Sequence, residues 1–372
     1  MRSLGRRRGV NPLFLAAGLT AAAGLLGVGR ATRGLPVAMG ASRRSIGSQV
    51  VGSPRYDGGT FSNVLPSVLM VPGSGATLLR GLLRRGDTGR PKGDVPLTEP
   101  SPATEAAPAA VTWLGHASVL IELDGRWILA DPVWGDRVSP SPTVGPSRLH
   151  PVPMTVQALP DLDAVIISHD HYDHLDLPTI RDLVAGQDAP FFVPTGVGAH
   201  LRRWGVPEDR IVELDWDGSA VVGNITLTCT EARHFSGRGL KRNTTLWSSW
   251  ALAGPQHRIY FGGDTGYTPA FAEIGARLGP FDLTVLPIGA YGDQWPDIHM
   301  TPEQAWRAHG DLGGGVMIPI HWATFDLALH SWSEPIERLL AVADSGKVAV
   351  PRPGGRVVVA EPFVLNRWWD GL

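Results

Sequence analysis

Cysteine is nearly absent from this sequence: Cys229, inside the strand-like run Ile225-Thr-Leu-Thr-Cys229, is the only one. An intramolecular disulfide is therefore impossible and a Cys-based metal site is excluded, leaving Cys229 to be read as a small buried hydrophobe. A basic excess is missing too. Against 33 Lys and Arg stand 35 Asp and Glu, a formal charge of −2, which argues against a nucleic-acid partner. Charged residues are only 18% of the chain and apolar ones 43%, the balance of a globular protein. Finally, residues 34–110 lack any sustained helical or strand period. Pro91-Lys-Gly-Asp-Val-Pro96 and Glu99-Pro-Ser-Pro102 read as extended, proline-stiffened chain, with one short helix expected from Gly75 to Leu83.

What precedes that stretch is a separate object. Arg2, Arg6, Arg7 and Arg8 lead into 21 uncharged residues, Gly9 to Gly29, followed by Arg30 and Arg33. At about 1.5 Å per residue such a helix just crosses a hydrocarbon core of about 30 Å. Residues 1–33 are read as a signal peptide or membrane anchor, with the arginines retained in the cytoplasm and the rest exported or membrane-anchored outside it. Residues 34–110 are then a Pro/Gly-rich arm, and residues 111–365 a catalytic domain.

Within that domain, two strands meet at Asp124-Gly125, a strong hairpin signal. Further strands are expected at 163–168, 190–194, 210–214, 219–230, 245–253, 257–263, 281–288 and 315–321. Thr301-Pro-Glu-Gln304 opens a helix with an N-cap, a first-turn proline and a capping-box glutamine; Thr268-Pro269 and Ser333-Glu-Pro335 open two more. Hairpins followed by strands alternating with helices predict an α/β protein whose sheets lie between helix layers.

The chemistry concentrates at Ser168-His-Asp-His-Tyr-Asp-His-Leu-Asp176, directly after the apolar Val165-Ile166-Ile167. His169, His171, Asp173 and His174 offer four imidazole or carboxylate ligands on one loop, the donor types that suit zinc. More candidates follow at strand ends: His234, Asp264 in Gly262-Gly-Asp-Thr-Gly266, and His321 after Ile320. Seven ligands fit two metals, with Asp264 as the bridge.

This pattern resembles the metallo-β-lactamase fold, an αββα sandwich with a dinuclear site. Trp113-Leu-Gly-His-Ala-Ser118, Ala130-Asp-Pro132, Glu213-Leu-Asp-Trp216, Leu246-Trp-Ser-Ser-Trp250, Gly262-Gly-Asp-Thr-Gly-Tyr267, Gly279-Pro-Phe-Asp282, Pro287-Ile-Gly-Ala-Tyr291 and Ile320-His-Trp-Ala-Thr-Phe325 further resemble the N-acylphosphatidylethanolamine-hydrolysing phospholipase D family, over roughly residues 95–335. The resemblance implies two Zn2+ per chain, one on His169, His171 and His234, the other on Asp173, His174 and His321, with Asp264 between them. It implies a bridging hydroxide that attacks a phosphodiester, releasing N-acylethanolamine and phosphatidic acid, with Asp173 and Asp264 as its catalytic carboxylates. Tyr172 and His299 match substrate contacts, while His116 and Asp131 would support the ligands from behind. Partners would be a phospholipid substrate and a membrane surface; the oligomeric state stays open, a homodimer included.

Asp170 stands where that family usually has Asn, which leaves the substrate open. Arg233, Arg238, Lys241 and Arg242 are candidates for anionic head groups, and Trp368-Trp369 for a membrane interface, while most of the thirteen tryptophans read as core or pocket residues. Two other functions compete: a metal-dependent lactonase similar to the L-ascorbate-6-phosphate lactonases, and a membrane-tethered, non-catalytic binding protein. The complete ligand set speaks against the latter.

Overall fold

A computed structural model describes residues 29–100 and 104–372. Two sheets face each other. In spatial order the first runs Arg356–Val358, Ala109–Gly115, Ser118–Leu123, Arg126–Ala130, Ala164–Ile166, Phe191–Pro194 and Ile211–Leu214. The second runs Val316–Ile320, Leu283–Pro287, Arg258–Phe261, Ser249–Ala253, Ile225–Thr230 and Ser219–Val222. In each, antiparallel hairpin strands give way to parallel strands joined by helical crossovers.

The side-chain alternation of the strands explains the layering. Val119, Ile121, Ile128, Ala130, Ala164 and Ile166 point between the sheets, against Leu227, Trp250, Ile259 and Val285. Their neighbours Leu120, Leu129, Val165 and Ile167 point outward and pack with Ile180, Leu183, Leu201 and Trp204 of helices Leu177–Gly186 and Gly198–Trp204. Strands covered on both faces read as nearly continuous apolar runs. Helices Ala270–Leu278, Pro302–Asp311 and Glu334–Val342 bring Phe271, Ala305 and Ile336 to the core of the second sheet. This is the expected αββα order.

Local signals set several boundaries. Asp124 and Gly125 both have positive φ, 44° and 84°, the geometry of a tight two-residue hairpin. Thr301 and Gln304 form the capping box. The stretch 219–230 is not one strand but two, turned at Gly223 (φ 57°) and Asn224. The strand expected over 245–253 begins only at Ser249, because Leu246 N–H and Ser248 N–H donate to Thr195 O and Ser168 O of the other sheet's loops. Cys229 is buried and free, and burial pushes its thiol up.

Residues 34–100 do not hang free of this body as an arm. A helix unforeseen in the sequence, Arg43–Val50, buries Ile46 and Val50 in the core beside Phe61 and Val95. Trp368 and Trp369, expected to favour a membrane interface, are buried around Trp322 instead. The expected signal or anchor segment lies almost entirely outside the described residues. Among those described, no helix is long and apolar enough to cross a membrane.

Trp250 joins the layers: it is fully buried and donates its indole N–H to Ile167 O at 3.0 Å. Trp250→Ala is expected to lower unfolding stability by about 3–5 kcal/mol, and Trp250→Phe by less, measured by reversible chemical denaturation. Equal, near-zero losses for both would refute this role.

Candidate metal centre

One edge of the sandwich collects the carboxyl ends of strands from both sheets, the usual place for a site in such sheets. His116 follows Ala109–Gly115, Asp131 follows Arg126–Ala130, and the 168–176 loop follows Ala164–Ile166. From the second sheet come His234 beyond Thr230, Asp264 beyond Phe261 and His321 directly after Ile320. His116, Asp131 and His321 adopt left-handed backbone, φ 51°, 41° and 65°, a conformation that costs non-glycine residues about 1–3 kcal/mol. Backbone strain of this kind aims side chains that the regular strand would point elsewhere.

Among the described residues, donor atoms gather in three overlapping groups, each with all its donors within 4.8 Å. The first is His169, His171, His234 and Asp264; the second His116, Asp173, His174 and His321; the third Asp264, His299 and His321. In the first, His171 Nδ1 lies 2.8 Å from His169 Nε2 and 3.3 Å from His234 Nε2. In the second, Asp173 Oδ2 lies 3.0 Å from His116 Nε2, 3.5 Å from His321 Nε2 and 3.6 Å from His174 Nε2. Asp264 reaches both, 3.7 Å from His234 Nε2, 3.1 Å from His174 Nε2 and 3.0 Å from His321 Nε2.

These atoms fit metal ligation better than mutual hydrogen bonding. His174 Nε2, His321 Nε2 and Asp264 Oδ1 are buried without a hydrogen-bond partner, a costly state unless something else satisfies them. Burial pushes His169, His171 and His234 down, toward the neutral imidazole that binds metals. Burial also opposes charge on His174 and His321, yet nearby carboxylates, Asp264 foremost, hold His174 well above its usual value and His321 up at about 9. Burial works equally against the Asp264 carboxylate, but His174 and His321 outweigh it and hold that group well below the ordinary range. Buried imidazoles and carboxylates converging in this way are a donor set that suits a divalent cation.

Supporting contacts lie one step out. Asp131, fully buried, accepts from Ser168 N–H at 2.7 Å and Ser168 Oγ at 2.5 Å, and faces His174 Nδ1 at 2.6 Å. His234 Nδ1 stands 2.8 Å from Ile298 O. Asp131 thus contacts a candidate ligand from behind, whereas His116 joins the donors themselves. His299 sits beside Asp264 with its buried Nδ1 unpartnered, and burial lowers it to about 4. Tyr172 is committed elsewhere: its hydroxyl donates to Arg238 O at 2.8 Å and its ring lies under the Arg238 guanidinium.

The expected basic patch dissolves on inspection. Arg238 is buried and donates to Asp170 O, Leu175 O and Ala38 O. Arg233 is held by Asp297, Ser67 and Pro66 O, and Lys241 by Gly59 O. Only Arg242 stays exposed, over Phe235. Asp170 is turned toward Gly237 N–H, 2.7 Å from its Oδ1. Burial pushes its carboxyl up, but His200 and Arg238 hold it down at about 2.

Sequence reasoning missed three groups: Ser168, Asn63 and His200, and the apolar mouth. A cavity of about 190 Å3 opens over His171, Asp173, Asp264 and His321, walled by Leu69, Met70, Phe235, Trp295 and Leu327. A second, polar cavity of about 450 Å3, containing Tyr291, Gln304 and Arg338, shares His299 with it.

Residues 126–322 match the beta-lactamase superfamily domain. An uncharacterized protein of Mycobacterium tuberculosis is 54% identical over 96% of this chain and 98% of its own. The protein named N-acyl-phosphatidylethanolamine-hydrolyzing phospholipase D 1 of Caenorhabditis elegans is 40% identical over 63% of this chain and 69% of its own. Among solved structures, an isothiocyanate hydrolase from Delia radicum gut bacteria shares the fold at 21% identity and a TM-score of 0.56, covering 67% of this chain and 98% of its own. A domain match spanning more than half the chain agrees with the sandwich and its clustered donors: the chain is a metal-dependent hydrolase of the beta-lactamase superfamily.

Proposed function

We propose that the chain is a dinuclear zinc phosphodiesterase of phospholipase D type, acting on N-acylphosphatidylethanolamine or a related glycerophospholipid. The observation that carries this reading is the pair of donor groups with Asp264 within 3.7 Å of imidazoles from both, beneath an apolar mouth. Similarity to the Caenorhabditis elegans phospholipase supports the substrate class. His169, His171 and His234 would hold one metal, Asp173, His174 and His321 the other, with Asp264 common to both. Two such ions supply a nucleophile at neutral pH and charge stabilisation for both oxygens of an in-line displacement.

The chain's own residues do the positioning. Asp173 and Asp264 anchor the donor groups and set the distance between them. His299, neutral at pH 7 with Nδ1 free of protein partners, faces the site where a phosphoryl oxygen would lie and can donate to it. Leu69, Met70, Phe235, Trp295 and Leu327 accept acyl chain and exclude water. Arg242, exposed at the rim, adds the positive charge that a phosphodiester needs on approach. Tyr172 lies outside that wall: its ring packs with Val133, Val138 and Phe325, and its hydroxyl is spent on Arg238 O.

Membrane contact follows from the same mouth. Val68 and Met70 are exposed beside it, and helix Gly75–Arg84 exposes Leu79 and Leu83, 59% and 77% accessible, with Arg84 in its last turn. Arg85 ties that helix to Asp326 and Ala328 O, next to the rim residue Leu327. An apolar stripe flanked by cations suits a lipid interface.

Purified protein is expected to contain two zinc ions and to convert N-acylphosphatidylethanolamine to phosphatidic acid and N-acylethanolamine, followed by mass spectrometry alongside other phospholipids and lactones. His171→Ala abolishes turnover, and Asp131→Asn weakens metal affinity by about 10–100-fold. Metal-free protein, full activity in His171→Ala, or turnover confined to lactones would each refute the reading. For the membrane face, Leu79→Asp with Leu83→Asp should cut co-sedimentation with anionic vesicles while leaving hydrolysis of a soluble phosphodiester intact. Undiminished vesicle binding counts against it.

A further inference from the structure

Two latches run from the N-terminal segment to the loops that carry the candidate ligands. The first starts at Ala41, whose N–H donates to His200 Nδ1 at 2.9 Å. A neutral imidazole has one acceptor and one donor nitrogen. With Nδ1 accepting, the ring proton sits on Nε2, which lies 3.3 Å from Asp170 Oδ2. The other carboxylate oxygen takes Gly237 N–H. Both Asp170 and His200 are buried, 1% and 2% exposed. Asp170 lies between His169 and His171, and Gly237 is three residues beyond His234, so this one carboxylate ties together both loops of the first donor group. The fit on the segment's side is close: a Cβ on Gly40, φ +79°, would fall 2.1 Å from His200 Nδ1.

Two donors converge on Asp170, Gly237 N–H and His200 Nε2–H. A carboxamide has only one oxygen for them, and its NH2 would face a donor. The charged residue at this position is thus explained by His200 and Ala41, not by substrate.

The second latch is Asn63. Its Nδ2 donates to His234 O at 2.8 Å, and its Oδ1 accepts His234 N–H at 3.1 Å and Trp247 Nε1–H at 3.1 Å. The backbone of a candidate ligand is gripped on both sides by a residue 171 positions away.

We propose that residues 35–63 are a positioning element of the metal centre: Ala41, through His200 and Asp170, and Asn63, through the His234 backbone, hold the two loops that present His169, His171 and His234. This rests on the ligand assignment above but not on the phosphodiester substrate. Groups that orient ligands from outside the coordination sphere commonly change metal affinity by about 10–100-fold.

The test uses the full chain and Co2+ as probe, with affinity read by chelator competition and ligand geometry by visible absorption. Asp170→Asn, His200→Leu and Asn63→Leu are expected to weaken Co2+ binding about 10–100-fold and to alter the absorption bands. His200→Gln, which keeps a donor toward Asp170, should retain more affinity than His200→Leu. Folded variants with wild-type affinity and spectrum would reduce the segment to a surface anchor and overturn the proposal. Should the variants not fold, the wild type decides: by reciprocal linkage, Co2+ slows amide hydrogen exchange within residues 35–63, and unchanged exchange overturns the proposal. Wild-type protein that takes up no Co2+ refutes the ligand assignment itself, and this inference with it.

Discussion

One buried carboxylate orients two of the imidazoles in the donor cage. Asp131 accepts the Ser168 hydroxyl proton, so Ser168 Oγ is left as an acceptor and must receive the proton of His169 Nδ1, 2.9 Å away. His169 Nε2 then faces the other donors as a bare lone pair. Asp131 also accepts from His174 Nδ1, which turns His174 Nε2 inward toward the other donors. One acceptor thus orients two candidate ligand rings. Asp131 holds this post on left-handed backbone at the end of a strand, fully buried. The sheets, the loops and the ligands are all arranged around that fixed point.

What the sequence disclosed was local. The hairpin at Asp124-Gly125, the capping box at Thr301 and Gln304, and the four candidate ligands between His169 and His174 are each contained in a few residues, so spacing alone points to them. His234, Asp264 and His321 were legible only as companions of that run and through family likeness. What the sequence concealed depends on long-range contact. Asn63 and His200 carry no motif, because their partners lie far away along the chain. Arg238 looked like surface charge, since nothing in the sequence says that three carbonyls and two aromatic rings enclose it. Trp368 and Trp369 misled for the same reason.

The division also explains the N-terminal segment. Its composition offers no period to follow, yet its hydrogen bonds are specific: Val68 N–H to Asp297, Val71 N–H to Gln294 O, Asn63 to His234. Between its short helices, order there is borrowed from the body it crosses. The same strip supplies Leu69 and Met70 to the mouth, so one irregular stretch both frames the donors and shapes the route to them.

The left-handed backbone at His116, Asp131 and His321 has a consequence for how the sequence can drift. Glycine would relax all three positions, and is the substitution that backbone energetics favour there. It is also the one that deletes the imidazole or carboxylate outright. Asn and Asp also tolerate this backbone, but at His116 and His321 they forfeit the imidazole. Stability and chemistry thus select against each other at these three sites, and a stabilising change found there by chance would disarm the protein.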